Sequence, residues 1–323
     1  MRAIQVNSVG GPEALELVEI DPPTPGPGEL LVEVRAAGVN FIDTYQRAGV
    51  YPLPLPLIPG SEGAGVVRAT GDGVTEFQPG DRVAWGSGAL GAYAEQTIVP
   101  AASAVPVPDG LSDEQAAAAM LQGMTAHYLV NSTYPVQSGD TVLVHAAAGG
   151  MGLLLTQLIK AKGGRVIGTV STAEKEKLAR EAGADEIIRY TEEDIAPRVR
   201  ELTGGVGVPV VYDGVGKSTF EASLSSLRPR GYMVLFGGAS GQVPPLDPQR
   251  LNALGSLFLT RPKLGDYTRS REEMLWRAGD ILNAVADGTL SLRIGGSYPL
   301  AEASRAHTDL EGRLTAGKLL LLP

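Results

Sequence analysis

The chain contains no cysteine. It therefore has no disulfide, no thiolate nucleophile and no thiolate zinc site. Histidine is scarce, and the spacing of His127, His145 and His307 offers no metal cluster. A serine hydrolase is not expected, because no Gly-x-Ser-x-Gly elbow occurs. No uninterrupted apolar run is long enough to cross a bilayer. The start, Met1-Arg2-Ala3-Ile4-Gln5-Val6-Asn7, lacks the basic stretch and apolar core of a secretory signal. A cytoplasmic location with no membrane partner is expected. Excess positive charge is missing too: 27 basic residues stand against 36 acidic ones, net -9. Nucleic-acid backbone binding is not expected from such a balance, although a local basic cluster can still hold one cofactor phosphate.

What is present fits a soluble globular enzyme. The chain has 323 residues, 43% hydrophobic and 20% charged, enough for two domains of ordinary size. Arginine outnumbers lysine 20 to 7, with five Asn and 23 Pro, a mix that suits a heat-loving source or a GC-rich genome. Residues up to about 121 are rich in Gly and Pro, with short alternating runs such as Leu30 to Ala36 that read as strands. Ser112-Asp113-Glu114-Gln115, with Leu111 before it, has the form of a capping box and predicts a helix through Met120. From Asp140 the texture changes. Strands at Thr141–His145, Arg165–Val170, Glu186–Ile188, Pro209–Tyr212, Tyr232–Phe236 and Ser256–Leu259 are expected, with helices at Leu153–Lys162 and Glu174–Glu181. Such alternation predicts an α/β fold, a doubly wound parallel sheet covered by helices. A later helix, roughly Glu272 to Asp287, stops at Gly288, and Lys318–Leu321 reads as the last strand.

Val142 to Gly152 is a buried strand, a small-residue turn and a helix start. In a dinucleotide-binding turn, glycines let the backbone approach a pyrophosphate and let helix and strand pack closely. Gly149 and Gly152 fill two of the three glycine places and Ala147 the first, with Gly150 and Met151 between them at the helix start. A site preferring NAD would show an acidic residue at the tip of the next strand. Here that tip reads Gly168-Thr169-Val170-Ser171-Thr172-Ala173-Glu174-Lys175, without a carboxylate where the strand ends. NADPH is inferred, with Ser171 donating to the 2'-phosphate and Lys175 pairing with it. The competing reading has Ser171 capping the helix, with Glu174 completing the box.

Three segments, Ala37-Gly38-Val39-Asn40-Phe41-Ile42-Asp43, Pro59-Gly60-Ser61-Glu62-Gly63-Ala64-Gly65 and Gly80-Asp81-Arg82-Val83, resemble the medium-chain dehydrogenase/reductase family. Its zinc-dependent members carry a Cys near Asn40 and a His at the place of Ser61, so the resemblance implies the zinc-free branch and no metal. Tyr45, Tyr51-Pro52, His145 to Gly150, Val211-Tyr212-Asp213, Phe236-Gly237 and Thr260-Arg261-Pro262 are similar to its NADPH:quinone reductase, or zeta-crystallin-like, subgroup.

That resemblance implies a β-rich GroES-like catalytic domain over residues 1–121 and 289–323 and a Rossmann domain over 122–288. It implies cofactor contacts at Asn40, Tyr45, Tyr128, Gly149, Gly150, Met151, Gly152, Ser171, Lys175, Tyr190, Phe236, Gly237 and Arg313. Asn40, Tyr45 and Tyr51 become the candidate catalytic residues. It also implies a homodimer joined near Ser256 to Thr260. The expected activity is NADPH-dependent reduction of a quinone, an acceptor electrophilic enough to need stacking against the nicotinamide more than a Lewis acid. Two readings stay open beside it: reduction of conjugated double bonds in alkenals or enones, and a binding protein without turnover. Asp43 reads equally well as a substrate contact and as a turn-fixing or Arg-pairing residue, and Glu62 as a structural acid left from a zinc-binding ancestor.

Overall fold

The apolar runs after Asp140 become a six-stranded sheet in which every pairing is parallel. The computed structural model describes residues 1–323. In spatial order the strands are Glu186–Arg189, Arg165–Val170, Thr141–Val144, Val208–Asp213, Leu227–Leu235 and Phe258–Thr260. Counted along the chain this is third, second, first, fourth, fifth, sixth, the doubly wound Rossmann order, and the sequence direction reverses between Thr141–Val144 and Val208–Asp213. Helices Gly150–Ala161, Ala173–Glu181, Ile195–Leu202 and Phe220–Ser226 fall between these strands. Leu143, Ile167, Ile188, Val211 and Met233 are buried in the core, which is why the strands read as nearly continuous apolar runs rather than alternating ones. These elements lie in one compact unit, Thr125–Asp266.

The second unit comprises Met1–Met124 and Tyr267–Pro323. Its seven-stranded sheet is organised by one long strand, Glu29–Val39, which pairs antiparallel with Gly63–Thr70, Gln96–Pro100 and Lys318–Leu322. Leu30, Val32 and Val34 point inward at alternate positions, packing with Trp85, Tyr93 and Val99. The helix Arg271–Ala286 belongs here, whereas a boundary at 288 would place it with the parallel sheet. The reason is tertiary. Ile281 fills the space above Gly123, and Arg271 donates to the carbonyls of Ala101 at 3.2 Å and Ala104 at 3.1 Å. No helix of the chain is long and apolar enough to cross a membrane.

Candidate active site

In the parallel unit, the strand Thr141–Val144 ends in a turn shaped for close approach. Gly149 is extended, with φ -76° and ψ 166°, and the helix begins at Gly150. The first N–H groups of that helix have no partner within it and carry the positive end of its dipole. A Cβ on Gly152 would collide with the Ala146 carbonyl and lie 2.6 Å from Ala147 Cα, so only glycine lets helix and turn pack. Ala147 works in the first glycine place because Gly168 opposite it has no side chain; a Cβ there would lie 2.7 Å from that of Ala147. Ala146 holds a left-handed φ of 51°.

Beneath the turn runs a buried polar chain. Thr169 Oγ1 lies 3.1 Å from His145 Nδ1, His145 Nε2 lies 2.9 Å from Ser223 Oγ, and Ser223 Oγ donates to Asp213 at 2.7 Å. Burial pushes the His145 pKa down, only partly opposed by the Asp213 charge, so the ring is neutral. A neutral ring accepts at Nδ1 from Thr169 and donates at Nε2 to Ser223.

The other predicted cofactor residues of this unit lie at the same carboxyl ends of the strands. Ser171 is half-buried after Arg165–Val170, and its carbonyl accepts from Thr191 Oγ1 at 3.1 Å. Thr172, not Ser171, caps the helix Ala173–Glu181, accepting from Lys175 N at 3.3 Å. The Ser171 hydroxyl therefore takes no part in the cap. Glu174, whose pKa is lowered by hydrogen bonds from its own N–H and from Thr172, is engaged at the helix start. Tyr190 is exposed directly after Glu186–Arg189. The Phe236 ring comes within 2.8 Å of where a Gly214 Cβ would stand, which accounts for glycine in the loop after the fourth strand, and a Cβ on Gly237 would collide with the Gly214 backbone. Tyr128 is not among this group; it is buried at the end of the helix Asp113–Tyr128.

In the other unit, Asn40, Tyr45 and Tyr51 lie on and around the helix Phe41–Arg47. The rings of Tyr45 and Tyr51 meet edge to face at 5.4 Å, and Tyr51 is 39% exposed. Arg313, also in this unit, is exposed and adopts φ 56° beyond the helix Ala303–Glu311. Asn40 is buried. Its Oδ1 accepts from Lys318 Nζ at 2.7 Å and Gln122 Nε2 at 3.4 Å, while its Nδ2 donates to Glu62 Oε2 at 2.8 Å and Gly38 O at 3.4 Å. Lys318 also pairs with Glu62, whose other oxygen accepts from Leu121 N at 2.6 Å.

Asp43 fixes the turn. It accepts from Asn40 N at 2.9 Å, Ser61 N at 3.2 Å, Ser61 Oγ at 3.0 Å and Tyr93 Oη at 3.2 Å. Tyr93 Oη lies 3.0 Å from His307 Nε2, and Arg47 Nη1 lies 3.1 Å from His307 Nδ1. Burial raises the Asp43 pKa to about 6, against the lowering by Asn40 and Ser61, and burial with the Arg47 charge lowers His307 to about 3. Sequence reasoning singled out none of Lys318, Gln122, Tyr93 or Arg47 for this cluster. Lys318 and Glu62 are 256 positions apart, a separation across which no local pattern signals a pair.

Residues 26–109 match the family description "Alcohol dehydrogenase GroES-like domain", and residues 150–274 match "Zinc-binding dehydrogenase". Over 323 aligned residues the chain is 49% identical to the quinone oxidoreductase of Pseudomonas aeruginosa, spanning 100% of this chain and 99% of that protein. The chain belongs to the medium-chain dehydrogenase/reductase family, in its quinone oxidoreductase branch. The solved quinone oxidoreductase of Escherichia coli, complexed with NADPH, superposes with a TM-score of 0.98 at 45% identity, covering 100% of both chains. A 2-haloacrylate reductase from a Burkholderia species is 44% identical over 99% of this chain and 98% of its own length. The zinc of the second family description finds no fitting donor set. No three His, Cys, Asp or Glu residues converge, and of the two carboxylates beside Asn40, Glu62 is already neutralised by Lys318 and Asp43 is taken up by Ser61 and Tyr93.

Proposed function

We propose that this protein is an NADPH-dependent quinone reductase working without zinc. The observation that carries the reading is the glycine turn with Ser171 and Lys175 at the next strand tip, in a chain that matches a quinone oxidoreductase over its whole length. NADPH, quinone and a proton give NADP+ and hydroquinone. When bound, NADPH supplies the hydride; the protein's residues orient, polarise and exclude water. Gly149, Gly150, Met151 and Gly152 present helix N–H groups to the pyrophosphate. Ser171 and Lys175 take the 2'-phosphate, Tyr190 the adenine side, and Phe236 with Gly237 the nicotinamide ribose. Tyr128 and Arg313 are further cofactor contacts. Asn40 and Tyr45 face cofactor and acceptor, and a hydroxyl of Tyr45 or Tyr51, or water, returns the proton to the reduced oxygen. The edge strand Phe258–Thr260, with Phe258 50% exposed and stacked on Tyr232, suits a homodimer interface. The setting is cytoplasmic.

The 2-haloacrylate reductase likeness favours a second reading, reduction of an activated carbon-carbon double bond on the same frame. The test is NADPH oxidation by purified, metal-stripped protein with 1,4-benzoquinone, with 2-alkenals and with 2-chloroacrylate, using NADH as control. Turnover of quinones with a preference for NADPH supports the first reading. Turnover of the alkenes alone moves the assignment to a double-bond reductase, and binding without turnover to a binding protein.

A further inference from the structure

The buried ion pair of Lys318 and Glu62 has no obvious use in stability. Both side chains are almost fully buried, 3% and 0% exposed, and a buried pair of this kind can often be replaced by apolar residues of similar volume without loss of stability. The fold nevertheless makes room for it. A Cβ on Gly38 would collide with Glu62 Oε2 and lie 2.8 Å from Lys318 Cε, so the long central strand carries glycine where the pair crosses it.

What the pair does locally is decide the state of one amide. The ammonium sits on Asn40 Oδ1 at 2.7 Å and the carboxylate takes one Asn40 N–H at 2.8 Å. Flipping the amide would set its NH2 group against the ammonium and its oxygen against the carboxylate, so only one orientation is stable. A cation on the oxygen also withdraws electron density from the amide and strengthens its N–H groups as donors. The second N–H of Asn40 is spent only on a long contact of 3.4 Å to Gly38 O, so a better acceptor can take it.

We propose that Lys318, held by Glu62, is a positioning residue that fixes and polarises the Asn40 amide so that its second N–H meets the carbonyl oxygen of the electron acceptor. A fixed donor aimed at the oxygen where negative charge develops lowers the barrier to hydride arrival on a conjugated carbonyl. The inference rests on the place given to Asn40 under the proposed function.

The test compares three variants of the full chain with wild type: Lys318→Gln, the charge-neutral double variant Glu62→Gln with Lys318→Met, and Asn40→Ala. Far-ultraviolet circular dichroism and thermal melting establish folding, fluorescence titration gives NADPH affinity, and steady-state kinetics use a series of quinones of graded electrophilicity. The Lys318 variants are expected to keep NADPH affinity within about twofold while kcat falls roughly 10- to 100-fold, the scale of a misplaced catalytic group. The loss should grow as the quinone becomes less electrophilic, a trend that a purely structural role would not produce. Wild-type kcat in a folded Lys318 variant overturns the proposal, as does an equal loss across the series or failure of both Lys318 variants to fold. Asn40→Ala separates the two claims. Wild-type turnover there removes the role of Asn40 itself, whereas slow Asn40→Ala beside fast Lys318 variants removes only the inference about the pair.

Discussion

Asp43 and His307 share Tyr93 as a neighbour, and burial shifts them in opposite directions. His307, lowered to about 3, is neutral in the folded protein but takes a proton near 6.5 when unfolded. Its contribution to stability is therefore present above about 6.5 and lost as pH falls towards 3, on the order of 5 kcal/mol over the whole window. Asp43, raised to about 6, works the other way. Its contribution is fullest below about 4 and is lost as pH rises through 6, by on the order of 3 kcal/mol. Urea unfolding at a series of pH values should thus show the stability advantage of wild type over His307→Gln shrinking on acidification. The advantage of wild type over Asp43→Asn should shrink as the medium is made less acidic from pH 4 to 6. An advantage independent of pH in either comparison would contradict the assignment. At the cofactor turn, Lys175→Ala should weaken NADPH binding by about tenfold or more and leave NADH nearly unchanged, read by equilibrium titration. Equal losses for the two would remove the 2'-phosphate role.

Elements were legible in the sequence where their own residues dictate them. The reciprocal bonds of Ser112 and Gln115, at 3.2 Å and 3.0 Å, realise the capping box expected there. The helix runs on to Tyr128, beyond the expected Met120, because Gly123 within it is a packing site for Ile281 rather than a stop. Ser112→Ala should destabilise its unit by about 1 kcal/mol, measured by thermal or urea unfolding. Helices Ile195–Leu202 and Phe220–Ser226 carried no such signal. Pro197 falls in the first turn of one, where its missing N–H has no helical partner to lose, and the second is too short and serine-rich for a periodic pattern. The strand Leu227–Leu235 begins five residues before its apolar run because Arg228 and Arg230 are exposed and mask it. In the site, the glycine turn and the bare strand tip could be read directly. The partners of Asn40 could not, since Glu62, Gln122 and Lys318 reach it only through tertiary folding.

At the scale of the molecule, one compact unit is a continuous stretch, Thr125–Asp266, and the other is assembled from both sides of it. Hydrogen exchange should report that arrangement. Amides of Lys318–Leu322 should exchange as one cooperative group with those of Glu29–Val39, with which they are paired, and not with residues much nearer in sequence such as Phe258–Thr260. Exchange of Lys318–Leu322 together with Phe258–Thr260 would contradict it.

The antiparallel pairing of Leu319 with Val39, Leu320 with Gly38 and Leu321 with Ala37 also sets an order of events during synthesis. While the ribosome is still making the middle of the chain, residues 37–39 have no strand to cover that flank, and the carboxylate of Glu62 has no cation beside it. The stretch 125–266 can fold as it emerges, but the earlier segment waits with an apolar strand edge exposed and an uncompensated charge next to it. In the nascent chain that stretch is a natural target for a chaperone, and its protection depends on residues translated long after it.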